Sequence, residues 1–173
     1  QLEHEDDELE AALRNDFFVI EKEFSPIDVI EEYTRPARLV GNGTEITKPA
    51  MSEIEQIEID RVGTLDAFNS DGLRSLLNLP IPNMIEKTLR YSGHIQKIIE
   101  MRDDGLFNPD VIEETAQSLI NEWVPKKTDY DQTIVRLEFK GMKNGNEVSK
   151  KYDLLDYYDE GNNITSMART TGY

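Results

Sequence analysis

The sequence predicts an α+β fold, with mostly antiparallel or mixed strands in a sheet and helices grouped on one face of it. Three observations predict it. Gly41-Asn-Gly43 and Asn144-Gly145 each separate two runs of strand character, the usual sequence form of an antiparallel hairpin. Ile57 and Ile59 alternate with acids, as on a strand with one wet face. After Asn108-Pro109-Asp110, the residues Val111, Ile112, Thr115, Ala116, Leu119, Ile120 and Trp123 recur on one side at the helical period.

Taken in order, Leu9, Ala12 and Leu13 suggest a short amphipathic helix, and Phe17-Phe-Val-Ile20 a strand. Ser25 before Pro26, with Asp28 three residues after the cap, starts a helix that should end near Tyr33, because Pro36 cannot continue it. A hairpin follows, built from residues 37–40 and 44–47 around the first glycine turn. Residues 53–60 form the next strand, although Ile54 breaks its alternation, which a bulge or an early strand end would explain. Residues 62–68 are another strand, ended by Asp71-Gly72 before a short helix through Leu73, Leu76 and Leu77 that Pro80 and Pro82 stop.

Residues 84–91 read as extended, and Gly93 allows the turn into a helix over 94–102 with Ile95, Ile98 and Ile99 on its apolar face. The helix after Asn108 comes next, and Trp123 on it is core or interface. Two long strands then meet at Asn144-Gly145, a type I′ signal. Thr133, Val135, Leu137 and Phe139 share one face of the first strand, and Val148, Tyr152 and Leu154 one face of the second. That face must cover core or a partner subunit.

Composition narrows the function. With 35 acidic against 19 basic residues, the net charge is −16, which argues against nucleic acid or an anionic membrane as partner. The acidic run from His4 to Glu10 reads as a solvated helix face, not a metal site. The chain has no cysteine, which fits a reducing cytoplasm and leaves no thiolate for a metal. No apolar run approaches membrane-spanning length, and no secretory signal is visible. No GxGxxG dinucleotide fingerprint, P-loop, Ser-His-Asp arrangement or zinc cluster occurs.

Three segments carry candidate chemistry. Phe68-Asn-Ser-Asp-Gly72 puts Asn69, Ser70 and Asp71 at a strand end, a usual place for ligand contacts and equally the composition of a plain turn. Arg90 and Tyr91 end the next strand, where a guanidinium can clamp a carboxylate or simply pair with one of the many acids. His94 titrates near neutrality and can pass a proton or pack beside a cleft. At the C-terminal end, Asn162, Asn163, Thr165 and Ser166 are helix caps ahead of Arg169, Thr170 and Thr171. A helix start there, with Arg169 beside it, suits a carboxylate or phosphate and is also an ordinary capped helix.

Val62-Gly-Thr-Leu-Asp-Ala-Phe-Asn-Ser-Asp-Gly-Leu73, Glu86-Lys-Thr-Leu-Arg-Tyr-Ser-Gly-His94 and Thr165-Ser-Met-Ala-Arg-Thr-Thr-Gly-Tyr173 resemble, in this order along the chain, segments of the saccharopine dehydrogenase family. Ser25-Pro-Ile-Asp-Val-Ile-Glu-Glu-Tyr-Thr-Arg-Pro36 resembles the start of that family's substrate domain. The family usually has proline where Ser92 stands. The resemblance implies a single substrate-binding and dimerisation domain over residues 1–173, excised from a larger chain. Its architecture would be like the C-terminal domains of glyceraldehyde-3-phosphate dehydrogenase and homoserine dehydrogenase, whose open sheet face commonly makes a dimer contact.

It further implies an oxidoreductase that uses NAD or NADP, bound by a dinucleotide domain missing here, to join or cleave an amino acid and an oxo acid through an imine. By that resemblance Arg90 and Arg169 clamp carboxylates, and Tyr91, Thr170 and Thr171 donate hydrogen bonds. Asn69, Ser70 and Asp71 contact and orient the substrate. The chain alone is expected to bind no cofactor and to be inactive, to form a homodimer and to take a small amino-acid-derived substrate. A carboxynorspermidine-type polyamine dehydrogenase domain and a non-catalytic interaction domain stay open as alternatives.

Overall fold

The computed structural model describes residues 26–122 and 131–172. The expected helix near Leu9, the strand 17–20, the cap at Ser25 and Trp123 lie outside the described residues. The chain divides into two compact units, Gln1–Val124 and Pro125–Tyr173.

Among the described residues of the first unit, helix α1 (Pro26–Thr34) comes first and stops just before Pro36 as expected. Strands β1 (Ala37–Gly41) and β2 (Thr44–Lys48) form the first hairpin, with Gly41 opposite Thr44. Asn42 at φ 51° and Gly43 at φ 77° supply the two positive angles that a tight turn matching the strand twist requires. Strands β3 (Glu55–Ile59), β4 (Gly63–Asn69) and β5 (Lys87–Tyr91) form an antiparallel sheet with β4 in the centre. Ile54 breaks the alternation because the strand starts one residue after it. A short 3-10 helix, Arg74–Asn78, stands where the leucine-rich helix was expected. Leu76 and the following Leu79 are exposed, whereas Leu73, just before this helix, is buried.

Helix α2 (His94–Asp103) leaves β5 through Gly93 at φ 97°, and buries His94, Ile95 and Ile98. The next helix, α3 (Ile112–Glu122), begins its hydrogen bonding at the Asn108 carbonyl, which accepts the Ile112 N–H at 3.0 Å. Its inward side holds Thr115, Ala116 and Leu119, whereas Val111, at the loose first turn, is exposed. The core gathers Ile30 and Tyr33 from α1, Met51, Phe68 from β4, Ile95 and Ile98 from α2, and Ala116 and Leu119 from α3. Burial of Leu65, Asp66, Ala67, Phe68 and Asn69 in succession shows β4 covered on both faces.

The second unit is a long hairpin, β6 (Gln132–Lys143) and β7 (Asn146–Tyr157), followed by helix α4 (Ser166–Gly172). Asn144 at φ 53° and Gly145 at φ 78° make its turn as predicted. Val135 lies opposite Leu154 and Leu137 opposite Tyr152, so the apolar face read from the sequence is continuous across both strands. It is exposed within this chain: Leu137 is 50% and Phe139 54% accessible.

The fold is thus α+β, with antiparallel sheets and few helices. One expectation needs correcting. The described strands make three separate sheets, not one: between β1–β2 and the three-stranded sheet there is no strand ladder, just an isolated bridge between Val40 and Met84, and β6–β7 pair only with each other.

The fully buried Phe68 and the half-exposed Phe139 give a direct check of this core. Phe68→Ala should cost about 3–5 kcal/mol in urea unfolding, and Phe139→Ala, which loses little beyond a ring contact with Tyr152, about 1 kcal/mol or less. Similar losses in both variants would contradict the placement.

Candidate functional site

The candidate site of the first unit is built on the junction of β4 and β5 with the end of α1. Along the chain before and into β5, Glu86, Thr88 and Arg90 alternate, so they fall on one side of the extended segment. Thr88 lies opposite Phe68 and Arg90 opposite Asp66 in the ladder. Ser70, just past β4, comes within reach of this row: its hydroxyl donates to Glu86 Oε2 at 2.7 Å and meets the Thr88 hydroxyl at 2.7 Å. The same Glu86 oxygen accepts the Gly72 N–H at 3.0 Å. A Cβ on Gly72 would lie 2.5 Å from the Glu86 carboxyl carbon, so a larger residue there would make the Glu86 side chain shift from this position. Burial pushes the Glu86 pKa up against the lowering effect of Ser70 and Gly72, and the charges of Glu32 and Asp71 push the same way as burial.

Asp71 is held differently. It takes two hydrogen bonds from the Arg38 guanidinium, both at 2.9 Å, and one from the Arg38 backbone N–H at 3.2 Å. The Arg38 side chain holds the Asp71 carboxyl below its usual range. Asn69 is fully buried and donates through Nδ2 to Ser52 and Glu53, at 3.0 and 2.9 Å, which ties the end of β4 to the segment before β3.

Arg90 is held from several sides. Its Nε donates to the Tyr33 hydroxyl at 3.1 Å, Nη1 to the Leu89 carbonyl at 2.9 Å, and Nη2 to both Glu32 oxygens at 3.0 and 3.1 Å. The Tyr33 hydroxyl also lies 3.0 Å from His94 Nε2. The guanidinium carbon sits 5.9 Å from the Tyr33 ring centroid, within cation–π range. His94 is fully buried, and burial drives its pKa well below 6.5, assisted by the charges of Arg90 and Lys97. A histidine so placed is neutral at physiological pH and serves first as a packing partner of Tyr33. Tyr91 is half-buried at the end of β5, opposite Leu65.

In the second unit the helix start is already served from within the chain. Asp131 sends its two carboxylate oxygens to the N–H groups of Ser166 and Met167, at 2.9 and 3.0 Å, while Thr165 caps Ala168. The anion at this helix start is thus an internal side chain, the arrangement of an ordinary capped helix. Arg169 is engaged by Asp156 at 2.7 Å, by Asp159 at 3.2 Å and by the Tyr157 carbonyl at 2.8 Å. Thr170 and Thr171 donate back to the carbonyls of Ser166 and Met167, at 2.9 and 2.7 Å.

The structure thus brings Ser70 into contact with the β5 row and sets Arg90 and His94 around one tyrosine, while Arg169, Thr170 and Thr171 belong to the other unit. Sequence reading missed Glu32, Tyr33, Arg38, Glu86 and Asp131. Only Glu86 left a trace, as the first polar residue of the alternation Glu86, Thr88, Arg90. The others act across 33 to 61 residues of chain.

With this geometry in place, the chain can be assigned to a class: it belongs to the saccharopine dehydrogenase C-terminal domain family, whose model matches residues 9–173. Among solved structures its fold is similar to that of apo histidine-tagged saccharopine dehydrogenase (L-Glu forming) from Saccharomyces cerevisiae, with a TM-score of 0.63 and 15% identity over 87% of this chain. The chain spans about half of that protein, 51% of its length.

The titrating groups of the site have opposite signs. His94 has a lowered folded pKa, so its contribution is full above the unfolded value of 6.5 and is lost as pH falls below it, by at most about 1.4 kcal/mol per pH unit. Glu86 has a raised pKa, so its contribution is full below 4.5 and is lost as pH rises through the folded value. As pH falls from about 7.5 to about 5.5, the urea midpoint should therefore drop less in His94→Gln than in wild type. An unchanged slope in His94→Gln would remove the histidine from this account.

Proposed function

We propose that this chain is the substrate-binding and dimerisation part of an NAD(P)-dependent oxidoreductase acting on the C–N bond between an amino acid and an oxo acid. The observation that carries the reading is Arg90: a guanidinium fixed by Tyr33 and Leu89 and presenting its Nη2 edge to a carboxylate, here that of Glu32. Such an edge suits the carboxylates that every amino acid and oxo acid carries. Membership of the saccharopine dehydrogenase family supports the reaction class. Ser70 and Asp71 line the loop beside this row, and Arg169 with Thr170 and Thr171 is kept as a second carboxylate-binding group of the intact enzyme, to be freed from Asp156 and Asp159 when substrate binds.

The dinucleotide itself does not fit these residues. All strand pairs among the described residues are antiparallel, and no glycine-rich strand-to-helix turn of the dinucleotide type is present in the sequence. We place the cofactor in another domain of the intact enzyme. The arrangement also fits the finer expectation of a domain like the C-terminal domain of glyceraldehyde-3-phosphate dehydrogenase, with the exposed face of Val135, Leu137, Phe139, Tyr152 and Leu154 as the dimer contact.

A carboxynorspermidine-type substrate is the second reading, favoured by one observation. Glu86 meets no cation among the described residues and lies near enough to Glu32 and Asp71 to feel both charges, so an amine would find a negative wall here.

In the intact enzyme, Arg90→Ala should lower kcat/KM for the carboxylate substrate at least tenfold, about 1.4 kcal/mol. Titrating with NADH and NADPH against candidate amino acid and oxo acid pairs, and against a polyamine semialdehyde pair, separates the two substrate classes. Unaltered kinetics in the Arg90 variant would take the arginine out of the site. For the dimer, Leu137→Ser with Phe139→Ser should shift the species seen by light scattering from two subunits to one. A wild-type chain that stays monomeric at high concentration would count against the contact.

A further inference from the structure

We propose that Glu32 is an internal carboxylate that fills the Arg90 clamp and is displaced by the carboxylate of a ligand, so that Glu32 sets how tightly the site takes an acidic substrate. The proposal rests on the reading of Arg90 as a carboxylate clamp and adds the residue that competes for it.

The geometry separates what holds the arginine from what occupies it. Nε and Nη1 of Arg90 are bound by neutral oxygens, the Tyr33 hydroxyl and the Leu89 carbonyl, and the guanidinium lies near the Tyr33 ring. Tyr33 is itself fixed in the core between Phe68 and His94, at ring distances of 6.0 and 5.7 Å. These contacts persist whether or not Glu32 stays. Glu32, by contrast, touches Nη2 with both oxygens, the contact a free carboxylate would make. It is also the outer member of the pair, its side chain 25% accessible against 13% for Arg90.

Exchange would therefore need no rearrangement of the fold. Ile30 and Tyr33 anchor α1 in the core, so Glu32 can swing toward solvent by side-chain rotation alone. One carboxylate replaces another on the same nitrogen, which leaves the charge at Arg90 compensated throughout. Glu86 and Asp71 are the neighbouring carboxylates, and Arg38 neutralises the second of them. A ligand that carries only a carboxylate meets repulsion from Glu86 and the expelled Glu32, whereas one that also carries an ammonium group is favoured by both. The site would thus prefer an amino acid to a simple dicarboxylate. The observed affinity of any such ligand is reduced by the fraction of molecules in which Glu32 fills the clamp.

Glutarate and L-glutamate serve as probes for the 173-residue chain, titrated by calorimetry and by the Arg90 Nε–H resonance in NMR. Glu32→Gln, which keeps the shape and removes the charge, should bind glutarate about three- to fivefold tighter than wild type, the gain expected for releasing a partly exposed ion pair. Glu32→Asp, which keeps the charge on a shorter arm, should gain less, and it carries the test if the glutamine variant fails to fold. L-glutamate should bind wild type more tightly than glutarate does, and Glu32→Gln should narrow that preference. If Glu32→Gln binds glutarate no tighter than wild type while Arg90→Ala loses it, Glu32 is a fixed prop, and the proposal falls while the clamp stands. If Arg90→Ala binds glutarate as wild type does, or if wild type binds neither probe, the clamp falls and takes the proposal with it.

Discussion

The Tyr33 hydroxyl is the contact on which the first unit turns. It accepts from Arg90 on β5 and meets His94 at the start of α2, while its ring packs on Phe68 of β4. One side chain thus ties α1 to the central strand, to the edge strand that carries the guanidinium, and to the helix that follows it. The constraint behind it is the cost of burying polar groups: a covered arginine and a covered histidine both need partners, and a tyrosine at the end of an apolar helix face supplies an oxygen without bringing a further charge.

A second constraint is electrostatic. Acidic residues outnumber basic ones by 35 to 19, and several of the described arginines are paired with carboxylates. Arg38 pairs with Asp71, Arg90 with Glu32, Arg136 with Asp153, and Arg169 with Asp156 and Asp159. For a domain whose proposed substrates are anions, this has a functional consequence. On the proposed reading, recognition at Arg90 or Arg169 would be an exchange between an internal acid and an external one, with the internal partner part of the specificity.

Much of the fold was legible because local rules and tertiary needs agree in it. Both hairpin turns carry residues that tolerate positive φ, Gly93 opens α2, and the apolar faces of Ile95 and Ile98 and of Ala116 and Leu119 are the ones that form the core. The division of the strands into three sheets was not legible, since pairing partners across the chain leave no mark in a strand's own pattern. The candidate site shows the same split. Asn69, Ser70, Asp71, Arg90, Tyr91 and His94 were picked out by turn composition and by resemblance, yet the groups that determine their state were not. Asp71 is charged and fixed because of Arg38, and the tail helix is capped by Asp131; neither partner belongs to any recognisable motif.

The sequence by itself determined the type of most elements, their turns and their buried faces, because these follow from torsional preference and from apolar periodicity within a few residues. It also determined the acid excess against which its arginines are set. Only the tertiary structure decided which carboxylates Arg38, Arg90 and Arg169 meet, and that His94 is buried against Tyr33. Those outcomes depend on distances between residues up to 61 positions apart, and a hydrogen bond or an ion pair is specified by where two groups arrive in space, not by the pattern around either one.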